Sequence, residues 1–193
     1  MKRKILILDN VVKKYVDIFS KEFEADIYVK NKIKNFNFYE VIIVGGGYKL
    51  RKNFLEKFTN LKLISIFGVG YDGIDIKHCK NRNLTICNTP NVLTNDVADM
   101  AMTLLLNLSR EIVKGNDYVL KGKWKKTNFN LTNSIFNKKV GIVGLGQIGL
   151  AFAKKAKVFG LDVFYFGPNK KKNKFKYFNK LEKMASRVDY LVL

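Results

Sequence analysis

Residues Lys139–Gly149 read KVGIVGLGQIG. A β-branched strand, Lys139–Val143, runs straight into Gly144-Leu145-Gly146-Gln147-Ile148-Gly149, a GxGxxG turn. From Ala151 to Phe159 the spacing is helical, with Phe152, Ala156 and Phe159 placed to face a sheet, and Leu161–Phe166 is a second strand. The order strand, glycine turn, helix, strand leaves few folds open, and the parallel doubly wound sheet is the one it fits. Each glycine has its own task there. Gly144 permits the tight turn, Gly146 lets the backbone approach a pyrophosphate, and Gly149 lets the helix pack close to the strand. The helix N-terminus adds free N–H groups and the positive end of a dipole. On this reading Gly144, Gly146, Gln147, Ile148 and Gly149 bind a dinucleotide. The alternative is a tight turn with no ligand.

The chain before this turn alternates in the same way. The expected strands are Lys4–Leu8, Ala25–Val29, Glu40–Val44, Lys62–Phe67 and Leu84–Cys87. The expected helices are Val11–Phe23, Leu50–Phe58 and Ile76–Arg82. Two strand ends run into glycines, at Gly45-Gly46-Gly47 and at Gly68-Val69-Gly70. Open parallel sheets bind ligands at such carboxyl ends, so Val69 and Gly70 are candidates for a ligand site, and Gly46 could close the same cleft. The alternative for both is an ordinary strand-to-loop glycine. A single helix is expected over Val97–Gly122, capped by Asn95 or Asp96 and long enough to connect two domains. Val97, Met100, Ala101, Leu104, Leu105 and Leu108 form its apolar face, while Met102, Leu106 and Val113 lie off that stripe. The domain reading is therefore residues 1–96, an interdomain helix 97–122, and a cofactor domain 123–193.

Composition removes several function classes. The net charge is +20, which raises the question of nucleic acid. Only five basic residues are arginine (Arg3, Arg51, Arg82, Arg110 and Arg187), and the other 31 of the 36 are lysines spread along the chain. Specific readers of nucleic acid use arginine for bidentate contacts, so no specific nucleic-acid role is expected. Non-specific attraction to polyanions follows from the charge alone. The apolar run in MKRKILILDN stops at Asp9, short of the roughly 7–15 residues of a secretory h-region, and no run reaches about 18 residues. The expectation is a cytoplasmic protein with no membrane contact. Cys79 and Cys87 suggest neither a disulfide framework nor a metal site.

Three further segments give the chain a family. Phe67-Gly68-Val69-Gly70-Tyr71-Asp72-Gly73-Ile74-Asp75, Asn88-Thr89-Pro90-Asn91-Val92-Leu93-Thr94-Asn95-Asp96-Val97-Ala98-Asp99 and Gly122-Lys123-Trp124 precede the glycine turn in that order. Together with the turn, they resemble the D-isomer-specific 2-hydroxyacid dehydrogenases, the glyoxylate/hydroxypyruvate reductase branch most of all, over essentially the entire chain. The resemblance implies a flavodoxin-like substrate domain, then a Rossmann cofactor domain that is incomplete at its C-terminal side, and a homodimer built around the long helix. It also implies reduction of a small 2-oxo acid, bound between the domains, to the D-2-hydroxy acid. It assigns carboxylate binding to Val69 and Gly70, and places Thr94 near the nicotinamide. Asp72 and Asp75 are read as turn and cap residues, and Trp124 as packing.

The family's catalytic arginine, glutamate and histidine have no counterpart in these residues. Histidine is suited to move a proton near neutral pH while hydride reaches a carbonyl carbon, but the one histidine, His78, lies in a charged helix and is expected on the surface. No catalytic residue is assigned, and the 193 residues alone are expected to be inactive. A non-catalytic dinucleotide-sensing or polyanion-binding module is the other reading.

The cofactor reading turns on the end of the second strand. NAD-preferring Rossmann sites place an acid roughly 20 residues past the turn, on the ribose 2′-hydroxyl. Here that position is Gly167, 23 residues after Gly144, and no acid occurs from Gly167 to Lys180. Asn169, Lys170 and Lys171 stand where a 2′-phosphate would lie. NADP(H) is therefore expected to be preferred over NAD(H), with Gly167, Asn169 and Lys170 as specificity residues. The alternative is a solvated lysine loop.

Overall fold

The computed structural model describes residues 2–193. It divides into two compact units, Met1–Asn91 and Val92–Leu193.

The first unit contains β1 (Lys4–Ile7), α1 (Asn10–Lys13), α2 (Val16–Ser20), β2 (Glu24–Ile27), β3 (Val41–Gly45), α3 (Lys52–Leu55), β4 (Leu63–Phe67), α4 (Ile76–Asn81) and β5 (Thr85–Cys87). All five strands are parallel, in the order β2-β1-β3-β4-β5. That is the flavodoxin-like order, and it reverses direction between β1 and β3. The strands are continuously apolar because both faces are covered. Successive side chains alternate faces. Leu6, Leu8, Ile42, Val44, Ile64 and Ile66 share one core with Phe58, and Ile5, Ile7 and Ile43 share a second with Val12.

The helix expected over Val11–Phe23 is two helices separated at Tyr15, and the one expected over Leu50–Phe58 shrinks to one turn. Segments this short cannot offset the cost of helix nucleation by propensity, so packing decides where they stop. Arg82 secures the end of α3 by donating to the carbonyls of Leu55, at 2.7 Å, and Phe58.

The second unit contains α5 (Thr94–Arg110), α6 (Ile112–Leu120), β6 (Lys139–Val143), α7 (Gln147–Val158), β7 (Asp162–Phe166), β8 (Lys176–Phe178), α8 (Leu181–Ala185) and β9 (Tyr190–Val192). Its parallel sheet runs β8-β7-β6-β9, which is 3-2-1-4 counted within the unit, as in the first part of a Rossmann sheet. β8 was not foreseen: Lys176-Tyr177-Phe178 sits in a lysine-rich stretch whose polarity hides the strand.

The single helix expected over Val97–Gly122 is broken. It starts at Thr94 after Leu93, without a side-chain cap, and stops where Glu111 turns left-handed at φ 50°. Its buried face overlaps the expected one only at Leu105 and the partly buried Ala101. Ala98, Met102, Leu105 and Ser109 are buried, while Val97, Met100, Leu104 and Leu108 are exposed. A helix apolar nearly all round does not reveal from its sequence which stripe meets the sheet. Here the stripe with the smaller residues does, against α7 and with Val140 and Ile142 in one core. Ser109 donates to the Asn133 carbonyl at 2.8 Å and receives the Tyr190 hydroxyl at 3.1 Å, and Asp99 pairs with Lys155 at 2.7 Å. The helix is therefore an integral part of the second unit. Trp124, read as packing, is 58% exposed.

Candidate functional site

The glycine turn joins β6 to α7. Gly144 has φ +96°, a conformation open to glycine and strained for other residues. A Cβ on Gly149 would lie 2.2 Å from the Gly144 carbonyl oxygen, so the helix can approach the strand only if this residue has no side chain. Gly146 is different. Its φ is −76°, and a Cβ there would meet nothing within 4 Å. Nothing in the protein itself requires glycine at Gly146; the space in front of it is what a bound pyrophosphate needs. Among the described residues, none accepts a backbone hydrogen bond from Leu145, Gly146, Gln147 or Ile148. Four N–H groups at the start of a twelve-residue helix are thus without a partner among the described residues, as suits phosphate oxygens.

Beside the turn lies the segment from Gly167 to Phe175, held by two tyrosines. The buried Tyr165 hydroxyl accepts the Lys171 N–H at 2.8 Å, and Tyr177 donates to the Gly167 carbonyl at 3.1 Å. A Cβ on Gly167 would meet no atom within 4 Å, so there is room there for a ligand group or a longer side chain. Asn169 and Lys170 are exposed. Lys171 departs from the 2′-phosphate reading. Its ammonium donates to the Leu145 carbonyl at 2.6 Å, pointing at the glycine turn. Three consecutive lysines give no sequence signal for which one turns back, because that choice depends on where Tyr165 holds the backbone.

In the first unit the loops after β3 and β4 press together. A Cβ on Gly46 would lie 3.4 Å from the Gly70 carbonyl oxygen, and one on Gly68, where φ is +146°, would lie 3.3 Å from the Gly46 Cα. Gly46, Val69 and Gly70 are thus neighbours, although 22 or more residues separate the two loops in sequence. Two residues that sequence reasoning missed brace the second loop. Asn88 donates to the Val69 carbonyl at 2.9 Å, and the Thr89 hydroxyl accepts the Gly68 N–H at 3.1 Å. The polar pair following β5 was the available clue. No described residue accepts the N–H of Val69 or Gly70, which leaves both donors for an anion. A pocket of about 800 Å³ lies alongside, lined by Gly46, Lys49, Arg51 and Asp72 among others.

Asp75 caps α4 as expected, accepting the His78 N–H at 2.9 Å. His78, expected on the surface, is half buried, with a buried Nε2 that has no partner among the described residues. The Cys79 thiol is pushed up from its ordinary value, first by burial and then by Asp75, which suits a core residue. Thr94 opens α5, and no side-chain hydrogen bond fixes it among the described residues. There is no grouping of three metal-ligating side chains among the described residues. Among the described residues, no helix is long and apolar enough to cross a membrane.

The profile described as D-isomer specific 2-hydroxyacid dehydrogenase, catalytic domain, matches residues 5–187. The chain belongs to this family. It is 40% identical over 140 residues to the hydroxyphenylpyruvate reductase of Plectranthus scutellarioides, covering 72% of this chain and 45% of that one. It is 30% identical over 210 residues to the glyoxylate reductase of Pyrococcus horikoshii, covering all of this chain and 63% of that one. Among solved structures, it superposes with a TM-score of 0.91 and 31% identity on an NADPH-dependent glyoxylate/hydroxypyruvate reductase from Sinorhizobium meliloti, in complex with NADP and malonate. That match covers 99% of this chain and 61% of the other. The chain thus spans about half to two thirds of the length of these relatives.

Proposed function

We propose that the protein carrying this chain is an NAD(P)-dependent oxidoreductase that reduces a small 2-oxo acid of the glyoxylate or hydroxypyruvate type to the D-2-hydroxy acid. The carrying observation is Gly146, a glycine that no internal contact and no positive φ demands, set among four undonated N–H groups. Those groups would hold the pyrophosphate; the nicotinamide of the cofactor, when bound, supplies the hydride. Val69 and Gly70 offer N–H groups to the substrate carboxylate, and Gly46 closes the loop beside them. Thr94 is assigned to the cofactor by family likeness.

NADPH is the preferred reductant on this reading. No carboxylate stands between Gly167 and Lys180 to repel a 2′-phosphate, and the exposed Asn169 and Lys170 supply donors. A charge-assisted contact is worth about 1.5–3 kcal/mol, so one gives roughly a ten- to hundredfold preference. The test is kcat/KM with glyoxylate and hydroxypyruvate for each reduced cofactor. NADPH should win, and Gly167→Asp should move the ratio toward NADH by at least about tenfold. Equal use of both cofactors by the unmodified protein would refute the preference. Absence of turnover with any 2-oxo acid, alongside measured cofactor binding, would favour a dinucleotide sensor.

The exposed stripe Val97, Met100, Leu104 and Leu108, with Ile112 beyond it, is the surface proposed to bind a second copy of the chain. Leu104 is 59% exposed, so Leu104→Asp should leave the fold intact and yield a monomer by light scattering. A variant that stays dimeric would rule out this face.

A further inference from the structure

We propose that Lys171 is a positioning residue that sets the orientation of the glycine turn and thereby serves both nicotinamide cofactors alike, a role distinct from binding a 2′-phosphate. The inference rests on the dinucleotide reading of that turn. Three observations carry it. The Lys171 ammonium donates to the Leu145 carbonyl at 2.6 Å across 26 residues of sequence. Its backbone is fixed independently, by the N–H bond of 2.8 Å to Tyr165, whose side chain is 1% exposed. Asn173 tightens the same loop, its Oδ1 accepting the Phe175 N–H at 2.7 Å and its amide reaching the Tyr165 hydroxyl at 3.4 Å.

The consequence follows from the planarity of the peptide unit. The C=O of Leu145 and the N–H of Gly146 belong to one plane and point in opposite directions. An ammonium gripping the oxygen therefore fixes the N–H on the other side, where no described residue accepts it. Gly146 has no Cβ to restrict rotation of this plane on its side, and no atom stands where a Cβ would lie. A positive charge on the oxygen also polarises the amide and makes its N–H a stronger donor. The flexibility that lets the backbone approach a pyrophosphate is offset by a lysine that holds the approach in one geometry. Lys170 and Lys172, on either side, make no such contact, so the three lysines separate into one that sets the turn and neighbours that face solvent.

The test is equilibrium binding of NADPH and of NADH, followed by fluorescence on the full protein, for Lys171→Met, Lys171→Arg, Tyr165→Phe and Lys170→Ala. Loss of one charge-assisted bond should raise both dissociation constants by about tenfold in Lys171→Met and leave their ratio unchanged. Lys171→Arg keeps a donor for the Leu145 carbonyl and should recover most of the loss. Tyr165→Phe should repeat the pattern more weakly, while Lys170→Ala should weaken NADPH alone. A change confined to NADPH in Lys171→Met would make it a 2′-phosphate ligand and overturn the proposal. No change in either constant would overturn it too. Melting curves identify a variant that fails to fold, in which case Lys171→Arg against Lys171→Gln carries the comparison. If the unmodified protein binds neither cofactor, the dinucleotide reading itself is refuted, and that result is distinct from a failure of Lys171 alone.

Discussion

The two units use glycine at their strand ends for different physical reasons. In the first unit Gly45, Gly46 and Gly68 are hemmed in by the protein itself, while Gly47, next in the chain, has open space around it. A Cβ on Gly45 would fall 2.5 Å from the Asp9 carboxylate, one on Gly46 would lie 3.4 Å from the Gly70 carbonyl oxygen, and one on Gly68 would lie 3.3 Å from the Gly46 Cα. In the second unit the three reasons separate: Gly144 is required by its φ, Gly149 by the Gly144 carbonyl that any Cβ would strike, and Gly146 by nothing within the protein. A crowded glycine shows how loops are assembled. A glycine in open space, at a helix start with idle donors, shows where something else is expected to sit. By that criterion the second unit carries the clearer binding signal, although the first unit's loop still presents the undonated N–H groups of Val69 and Gly70.

The largest effect that sharpens this contrast is steric. Gly149→Ala drives a Cβ into the Gly144 carbonyl, and neither strand nor helix can yield cheaply. It should destabilise the second unit by about 3 kcal/mol or more. Gly45→Ala meets only the end of the Asp9 side chain, which can rotate away at the expense of its bond from Val11, so the loss should be nearer about 1 kcal/mol. Denaturant melts of both variants check the order, and the reverse order would break the distinction between backbone and side-chain crowding.

A smaller effect separates the units by pH. Tyr39, in the first unit, is buried and donates to Asp26 at 2.7 Å. Burial first, and then Asp26, raises its phenol well above the ordinary range. The folded state therefore keeps a proton that the unfolded state releases above about pH 10. The stabilisation is complete below that pH and is lost as pH rises, by at most roughly 1.4 kcal/mol per unit. Tyr39→Phe should flatten the alkaline limb of the first unit's stability curve. An unchanged limb would show that the phenol is not the group that titrates.

How much of this could be read from the sequence follows the same physics. The parallel strands were legible because burial on both faces makes KILIL, VIIV and LISIF continuous apolar runs. GxGxxG was legible because its spacing is set by local geometry. β8 was not, since the lysines of KYF and its flanks mask a strand on the edge of the sheet. The buried face of α5 was misread, because Met100, Leu104 and Leu108 are as apolar as Met102 and Leu105. The brace of Asn88 and Thr89 on the Gly68-Val69 loop, and the return of Lys171 to Leu145, depend on contacts between distant segments that no local pattern encodes.

The central claim is that the open space at Gly146 is kept for a dinucleotide, and one substitution read in two ways tests it. Gly146→Ala puts a methyl group where no atom lies within 4 Å, at a φ that alanine adopts freely. Its melting temperature should match the unmodified protein. Its affinity for NADPH, titrated on the same sample, should fall by at least about tenfold, the equivalent of roughly 1.4 kcal/mol. Unchanged affinity with unchanged stability would contradict the account, because Gly146 would then have no use as a glycine in either the protein or its complex.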